Sequence, residues 1–268
     1  VSDRIALVTG SSRGIGRAIA LRLAADHDGI AVHYRRERAA AEQVAQELRE
    51  RGTDVIVVRG ELEQGPELAA IIEAVKARWG RLDTLVANAA AGAFLPVLAH
   101  HDHHISRTFD TIVRSFVTLS GRAVRLMPPG GRIVAISGLD ARQAVPVHGV
   151  IGAAKAALEA LVRHLALELG PRGITVNAVA PGAIATDSAA LYLQRLPALR
   201  QALLDAIPTG RFGEPDDVAT VVAFLCSADA AYINGTTVVV DGGLSAGGGP
   251  WGSFASQSPT AHLKGDKD

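Results

Sequence analysis

The sequence predicts a single doubly wound α/β domain, a parallel seven-stranded sheet with helices on both faces. Three observations carry that expectation. Short β-branched runs alternate with longer stretches of helical period. A glycine-rich turn, Thr9-Gly10-Ser11-Ser12-Arg13-Gly14-Ile15-Gly16, joins the first such run to the first helix. Of the 268 residues 48% are apolar, which is enough to fill one large core.

The strands are expected at residues 5–8, 30–34, 55–59, 84–87, 132–136, 175–180 and 236–240, where Val, Ile, Leu and Thr concentrate. Helical period runs through 15–25, 39–51, 66–79, 105–127 and 153–169, with Gly or Pro punctuating several of the ends. Right-handed crossovers between parallel strands then generate one sheet of the Rossmann type. No internal repeat is visible, and no linker divides residues 1–244. The stretch 245–268, rich in Gly, Ser and Pro, reads as a flexible tail or as an arm laid on a neighbouring subunit.

Composition excludes several functions. Lys and Arg number 27 against 27 Asp and Glu, so bulk charge gives no hold on nucleic acid. No apolar run approaches the ~18 residues that cross a bilayer, and a cytoplasmic protein is expected. Cys226, the one cysteine, follows the apolar stretch 221–225 and is expected to be a buried small hydrophobe.

The glycines at 10, 14 and 16 let backbone approach a pyrophosphate, while free amides and the dipole of the opening helix meet its charge. The loop with Ser12, Arg13 and Ile15 is therefore read as a dinucleotide site. An NAD site usually has Asp or Glu at the end of the second strand. Here the chain reads His33-Tyr34-Arg35-Arg36, and Arg13, Arg35 and Arg36 together favour the extra phosphate of NADPH.

The T-G-x-x-x-G-x-G turn, Asn88-Ala89-Ala90, the segment Asn177 to Gly182 with Thr186 beyond it, and Val240-Asp241-Gly242-Gly243 occur in an order that resembles the short-chain dehydrogenase/reductase family. The resemblance runs from about residue 5 to 243. It implies that Leu62, Asn88, Ala89, Ala90, Pro181, Gly182, Ile184 and Thr186 belong to the cofactor site with the glycine loop, and that Lys155 contacts the nicotinamide ribose. The family's usual Asn, Ser and Tyr positions fall near Ile112, on Gly138 and on Ile151. Three of its four catalytic groups are thus missing.

One branch of the family, the enoyl-acyl-carrier-protein reductases, places its tyrosine seven residues before the lysine and does without the usual Asn and Ser. Against that branch the stretch from Ser137 to Ala160 matches without a gap, and His148 takes the tyrosine's place. The resemblance implies reduction of an enoyl thioester, CoA-bound or carrier-bound, with His148 and Lys155 as the catalytic pair. Hydride addition to the β carbon leaves negative charge on the thioester oxygen, which needs a fixed donor. Imidazole can serve as a neutral N–H donor or as a cation, and positive potential from Lys155 should favour the neutral form. A ketoreductase using His148 as its acid, and a non-catalytic nucleotide-binding subunit paired with an active relative, remain open.

Residues 183–207, with Leu191, Tyr192 and Leu196, follow the Pro-Gly turn. They are read as a lid whose apolar content suits an acyl group better than a sugar. His100, His101, His103 and His104 around Asp102 are read as a solvated cluster rather than a metal site. The resemblance also implies pairing into a homotetramer or dimer through 105–127, 153–169 and the last strand.

Overall fold

The computed structural model describes residues 4–194 and 197–247. Seven strands form one all-parallel sheet in the order β3-β2-β1-β4-β5-β6-β7. They are β1 (Ile5–Val8), β2 (Gly29–Tyr34), β3 (Asp54–Arg59), β4 (Thr84–Ala87), β5 (Arg132–Ile136), β6 (Thr175–Pro181) and β7 (Thr237–Val240). The order reverses between β1 and β4, and in such sheets the crevice beyond the carboxyl ends of the strands at that reversal receives ligands.

Helices cover both faces. On one side lie α1 (Gly14–Leu23), α2 (Arg38–Glu50) and α9 (Pro215–Cys226), whose Ile19, Leu23, Val44, Leu48, Val222 and Leu225 are buried against Val8, Val32 and Val134. On the other lie α3 (Gly65–Trp79), α5 (Ser115–Ala123) and α6 (Gly149–Leu169), which bury Leu68, Ile71, Phe116, Leu119 and Leu158 against Leu7, Leu85 and Ile133. Each such side chain contributes about 1.5 to 3 kcal/mol on leaving water. The inner strands, buried on both faces, read as near-continuous apolar runs, whereas the half-buried edge strands β3 and β7 are marked by their Val and Ile content.

The expected helix 105–127 is instead three pieces. It comprises α4 (Asp102–Phe109), a π-helical turn (Asp110–Arg114) and α5. The turn buries Thr111 and Ile112, a correction that hydrophobic period alone does not reveal. α6 begins four residues before the expected start, because Gly149 and Gly152 press it onto neighbouring chain. A Cβ on Gly149 would meet Val97 Cγ2 at 2.3 Å, and one on Gly152 would meet the Asp140 carbonyl oxygen at 2.4 Å.

After β6 come α7 (Asp187–Gln194) and α8 (Pro197–Ala206). Leu191 and Tyr192 fall within α7, whereas Leu196 and residues 248–268, most of the expected tail, lie outside the described residues. Among the described residues no helix is long and apolar enough to cross a membrane. Cys226 is buried at the end of α9, and burial pushes its thiol up to about 12.

Candidate active site

The glycine loop is held from beneath by His33. The Gly10 N–H donates to His33 Nδ1 at 2.9 Å, so the ring's proton is on Nε2, which donates to the Gly60 carbonyl at 3.0 Å. Burial lowers this imidazole to about 4 and keeps it neutral. From the other side Asn88 Nδ2 donates to the carbonyls of Thr9 and Gly10 at 2.9 and 3.1 Å, while the Asn88 and Ala89 amides donate to Thr9 Oγ1. Gly10 adopts φ 65° and Gly14 φ 55°, the left-handed region where glycine is at ease. Gly16 has no room for a side chain: a Cβ would stand 2.3 Å from the Gly10 carbonyl oxygen and 2.5 Å from Asn88 Nδ2.

A cleft opens over this loop. All the loop, arginine, Leu62 and Asn88-Ala89-Ala90 positions named from the sequence line it. The arginine rim departs from the sequence reading in one respect. The edge does carry acids, since Glu61 and Glu63 reach Arg35 at 3.4 and 3.5 Å from beyond the end of β3. Arg13 and Arg36 make no ion pair among the described residues and are the cations available to a ligand there.

A second cavity adjoins the first, and Ile15, Asn88, Ala90 and Thr186 line both. Thr186 closes the join. Its Cγ2 lies 3.6 Å from where a Cβ on Gly14 would stand. Pro181, Gly182 and Ile184 form one wall, the Gly182 amide donating to the Val240 carbonyl at 2.9 Å. Phe94, Leu139, Val145, Leu193, Leu203 and Phe212 give the cavity an apolar lining. Leu193 and Leu203 come from α7 and α8, the expected lid.

His148 and Lys155 line this same cavity. Lys155 is buried on α6 and donates through Nζ to the Ile136 carbonyl at the end of β5. Burial draws its ammonium down to about 8, with Asp140 pulling the other way. His148 stands just before α6, at a turn closed by its own amide donating to the Val145 carbonyl at 3.1 Å. Val147 there takes φ 59°, a strained conformation for a β-branched residue. The Phe94 ring lies 4.9 Å from the His148 ring.

His148 Nδ1 is 2.9 Å from the Pro146 carbonyl oxygen. A carbonyl only accepts, so this contact puts a proton on Nδ1. Nε2 of the neutral ring is then an acceptor, and it donates only in the imidazolium form. Of the two forms the sequence reading allowed, this contact leaves only the cation able to donate from Nε2.

Ser137 does not substitute for a serine at 138. Its hydroxyl donates to Glu159 Oε1 at 2.8 Å, and Glu159 is in turn paired with Arg142 at 3.0 Å. Asp140, on the turn between β5 and α6, lines the cavity and was not singled out in the sequence. The four histidines cluster near the start of α4, the His103 and His104 rings tilted at 3.9 Å, and the His101 amide donates to His104 Nδ1 across the helix start. Among the described residues no group of three or more potential ligands is placed to hold a metal.

The family model described as Enoyl-(Acyl carrier protein) reductase matches residues 10–245. The chain is 40% identical to 1-cyclohexenylcarbonyl-CoA reductase of Streptomyces collinus over 244 residues, covering 90% of this chain and 87% of that one. It is 36% identical to the 3-oxoacyl-[acyl-carrier-protein] reductase FabG of Staphylococcus aureus, covering 89% and 97%. Among solved structures the angucycline C-6 ketoreductase LanV with bound NADP superposes with a TM-score of 0.84 at 36% identity, covering 90% of this chain and 95% of that one.

Proposed function

The chain belongs to the short-chain dehydrogenase/reductase family, and within it we propose an NADPH-dependent reductase of the carbon–carbon double bond of an enoyl thioester. The observation that carries this reading is one apolar-walled cavity, continuous with the glycine-loop cleft, that is lined by both His148 and Lys155. The likeness to a cyclic enoyl-CoA reductase supports it.

The residues present fit the cofactor. Gly10 and Gly16 let the turn close tightly on itself and on Asn88-Ala89, the amino end of α1 supplies amides and a favourable dipole, and Arg13 and Arg36 make no ion pair among the described residues. Bound there, NADPH supplies a hydride. Lys155 would hold the ribose and contribute positive potential. His148, as imidazolium, donates from Nε2 to the thioester oxygen as charge develops on it, while its Nδ1–H bond to Pro146 fixes the ring's direction. The lining from α7 and α8 excludes water from the reacting carbons.

NADPH oxidation with a crotonyl thioester, set against a panel of ketones, tests the reading. Turnover of ketones alone would support the second reading, a ketoreductase. That reading is favoured by the LanV and FabG likenesses and by an imidazolium able to give a whole proton to an alkoxide. No turnover with either class would favour the non-catalytic subunit.

The arginine rim yields a prediction. Changing Arg36 to Ala should cost NADPH about 1.5 to 3 kcal/mol, the worth of a charge-assisted bond, and leave NADH binding nearly unchanged. Arg35→Ala should cost less, because Glu61 and Glu63 already occupy that guanidinium. Fluorescence titration checks both, and tighter binding of NADH than of NADPH by the unmodified protein would contradict this account of the rim.

We also propose a homotetramer or dimer. Val117 on α5 and Leu167 on α6 are exposed, 45% and 78%, on the helices through which pairing is expected. Light scattering at micromolar concentration should give a mass at least twice 27.8 kDa.

A further inference from the structure

We infer that Asp140 is a positioning residue of this site: its carboxylate stands where a side chain at 138 would lie, beside the face of α6 that bears Lys155, and holds the lysine in its charged form. The inference rests on the reading of Lys155 as the ribose contact.

Two glycines clear the space for this one aspartate. A Cβ on Gly138 would stand 2.5 Å from Asp140 Oδ1, and a Cβ on Gly152 would stand 2.4 Å from the Asp140 carbonyl oxygen. Lys155 follows Gly152 by three residues, so both lie on one face of α6. The turn carrying Asp140 is thereby packed against the lysine's side of the helix. Among the described residues the Asp140 carboxylate makes no hydrogen bond or ion pair of its own, although it lines a cavity whose walls are mostly apolar.

Lys155 has the matching need. It is buried, and its one bond is to the Ile136 carbonyl, which brings no countercharge. Several other charged groups around α6 are already engaged, and its own Arg163, His164 and Glu168 are exposed to solvent. Glu159 is held by Arg142 and Ser137, Asp110 of the π-helical turn by Arg114, and Arg107 of α4 by Glu63. Arg172, beyond the end of α6, donates to main-chain carbonyls, and β6 carries no charged residue. His148 at the start of α6 would repel the ammonium when protonated, and the histidines near the start of α4 are largely exposed. Asp187 and Arg200 face the same cavity from α7 and α8 with opposite signs. Asp140 is the carboxylate packed on the lysine's face of α6, and its pull opposes the desolvation that lowers the ammonium to about 8.

The test is the pH dependence of NADPH affinity, followed by fluorescence from pH 6 to 9 on the whole chain, in wild type, Asp140→Asn, Asp140→Glu and Lys155→Met. Wild type should lose affinity as pH passes about 8. Asp140→Asn should bind equally at pH 6 but lose affinity at least one pH unit earlier, Asp140→Glu should restore the wild-type profile, and Lys155→Met should show no such step. Should the Asn variant fail to fold, Asp140→Ser takes its place. A profile for Asp140→Asn superimposable on wild type, with the step absent from Lys155→Met, overturns the inference alone. A Lys155→Met profile equal to wild type overturns the ribose contact and the inference with it. No acyl substrate enters the measurement, so its outcome is separate from which bond is reduced.

Discussion

Replacing His148 with Phe should lower enoyl-thioester turnover a hundredfold or more while leaving NADPH affinity intact. The change removes a fixed donor from an oxygen that gains charge in the transition state, a loss worth about 2.7 to 4 kcal/mol where such donors have been removed. The ring of Phe can still pack on Phe94 and occupy the turn after Val147, so the fold should hold. The glycine loop and its arginines lie in the adjoining cleft and are untouched. Because Nδ1 is committed to Pro146, Nε2 donates only when the ring carries both protons. His148→Tyr supplies a donor without that requirement. It should retain or raise enoyl reduction. Unchanged steady-state enoyl reduction in the Phe variant would refute the assignment of His148.

What the sequence made legible, and what it hid, follows from how far apart the responsible residues are. All seven strands appear within a residue of their expected limits, because the inner ones are buried on both faces and read as local apolar runs, while the half-buried edge strands β3 and β7 still concentrate Val. The glycine loop is legible for the same reason: Gly10, Gly14 and Gly16 form a local pattern. The division of α4 from α5 is not, since the π-helical turn preserves an apolar period while shifting which residues face inward. The acids at Arg35 were missed because Glu61 and Glu63 lie 26 and 28 positions on, at the end of a neighbouring strand. Asp140 was missed for a subtler reason. Its place is defined by the absence of side chains at Gly138 and Gly152, and nothing local marks either glycine as room made for a carboxylate. The direction of the His148 proton likewise depends on a backbone carbonyl, to which side-chain patterns are blind.

Gly16 is where a single added methyl should cost nucleotide binding most. Its Cβ would lie 2.3 Å from the Gly10 carbonyl oxygen, 2.9 Å from the Gly10 carbonyl carbon and 2.5 Å from Asn88 Nδ2. None of these can step aside cheaply. The Gly10 carbonyl is main chain, its amide is bonded to the buried His33 ring, and Asn88 Nδ2 ties the same carbonyl to the end of β4. Gly16→Ala must therefore push α1 away from the loop or break the Asn88 clamp, an overpacking that typically costs about 1 to 3 kcal/mol. Either movement displaces the amides that meet the pyrophosphate, so NADPH affinity should fall at least tenfold along with the melting temperature. Gly121→Ala supplies the contrast. It lies inside α5 with nothing in the protomer within 4 Å of its would-be Cβ, so within the protomer the added methyl should bring the helix-propensity gain of about 0.5 to 1 kcal/mol and leave NADPH binding as it was. Paired thermal melts and NADPH titrations separate the two effects, and a Gly16→Ala protein that binds NADPH like wild type would mean that the cofactor does not rest on this turn.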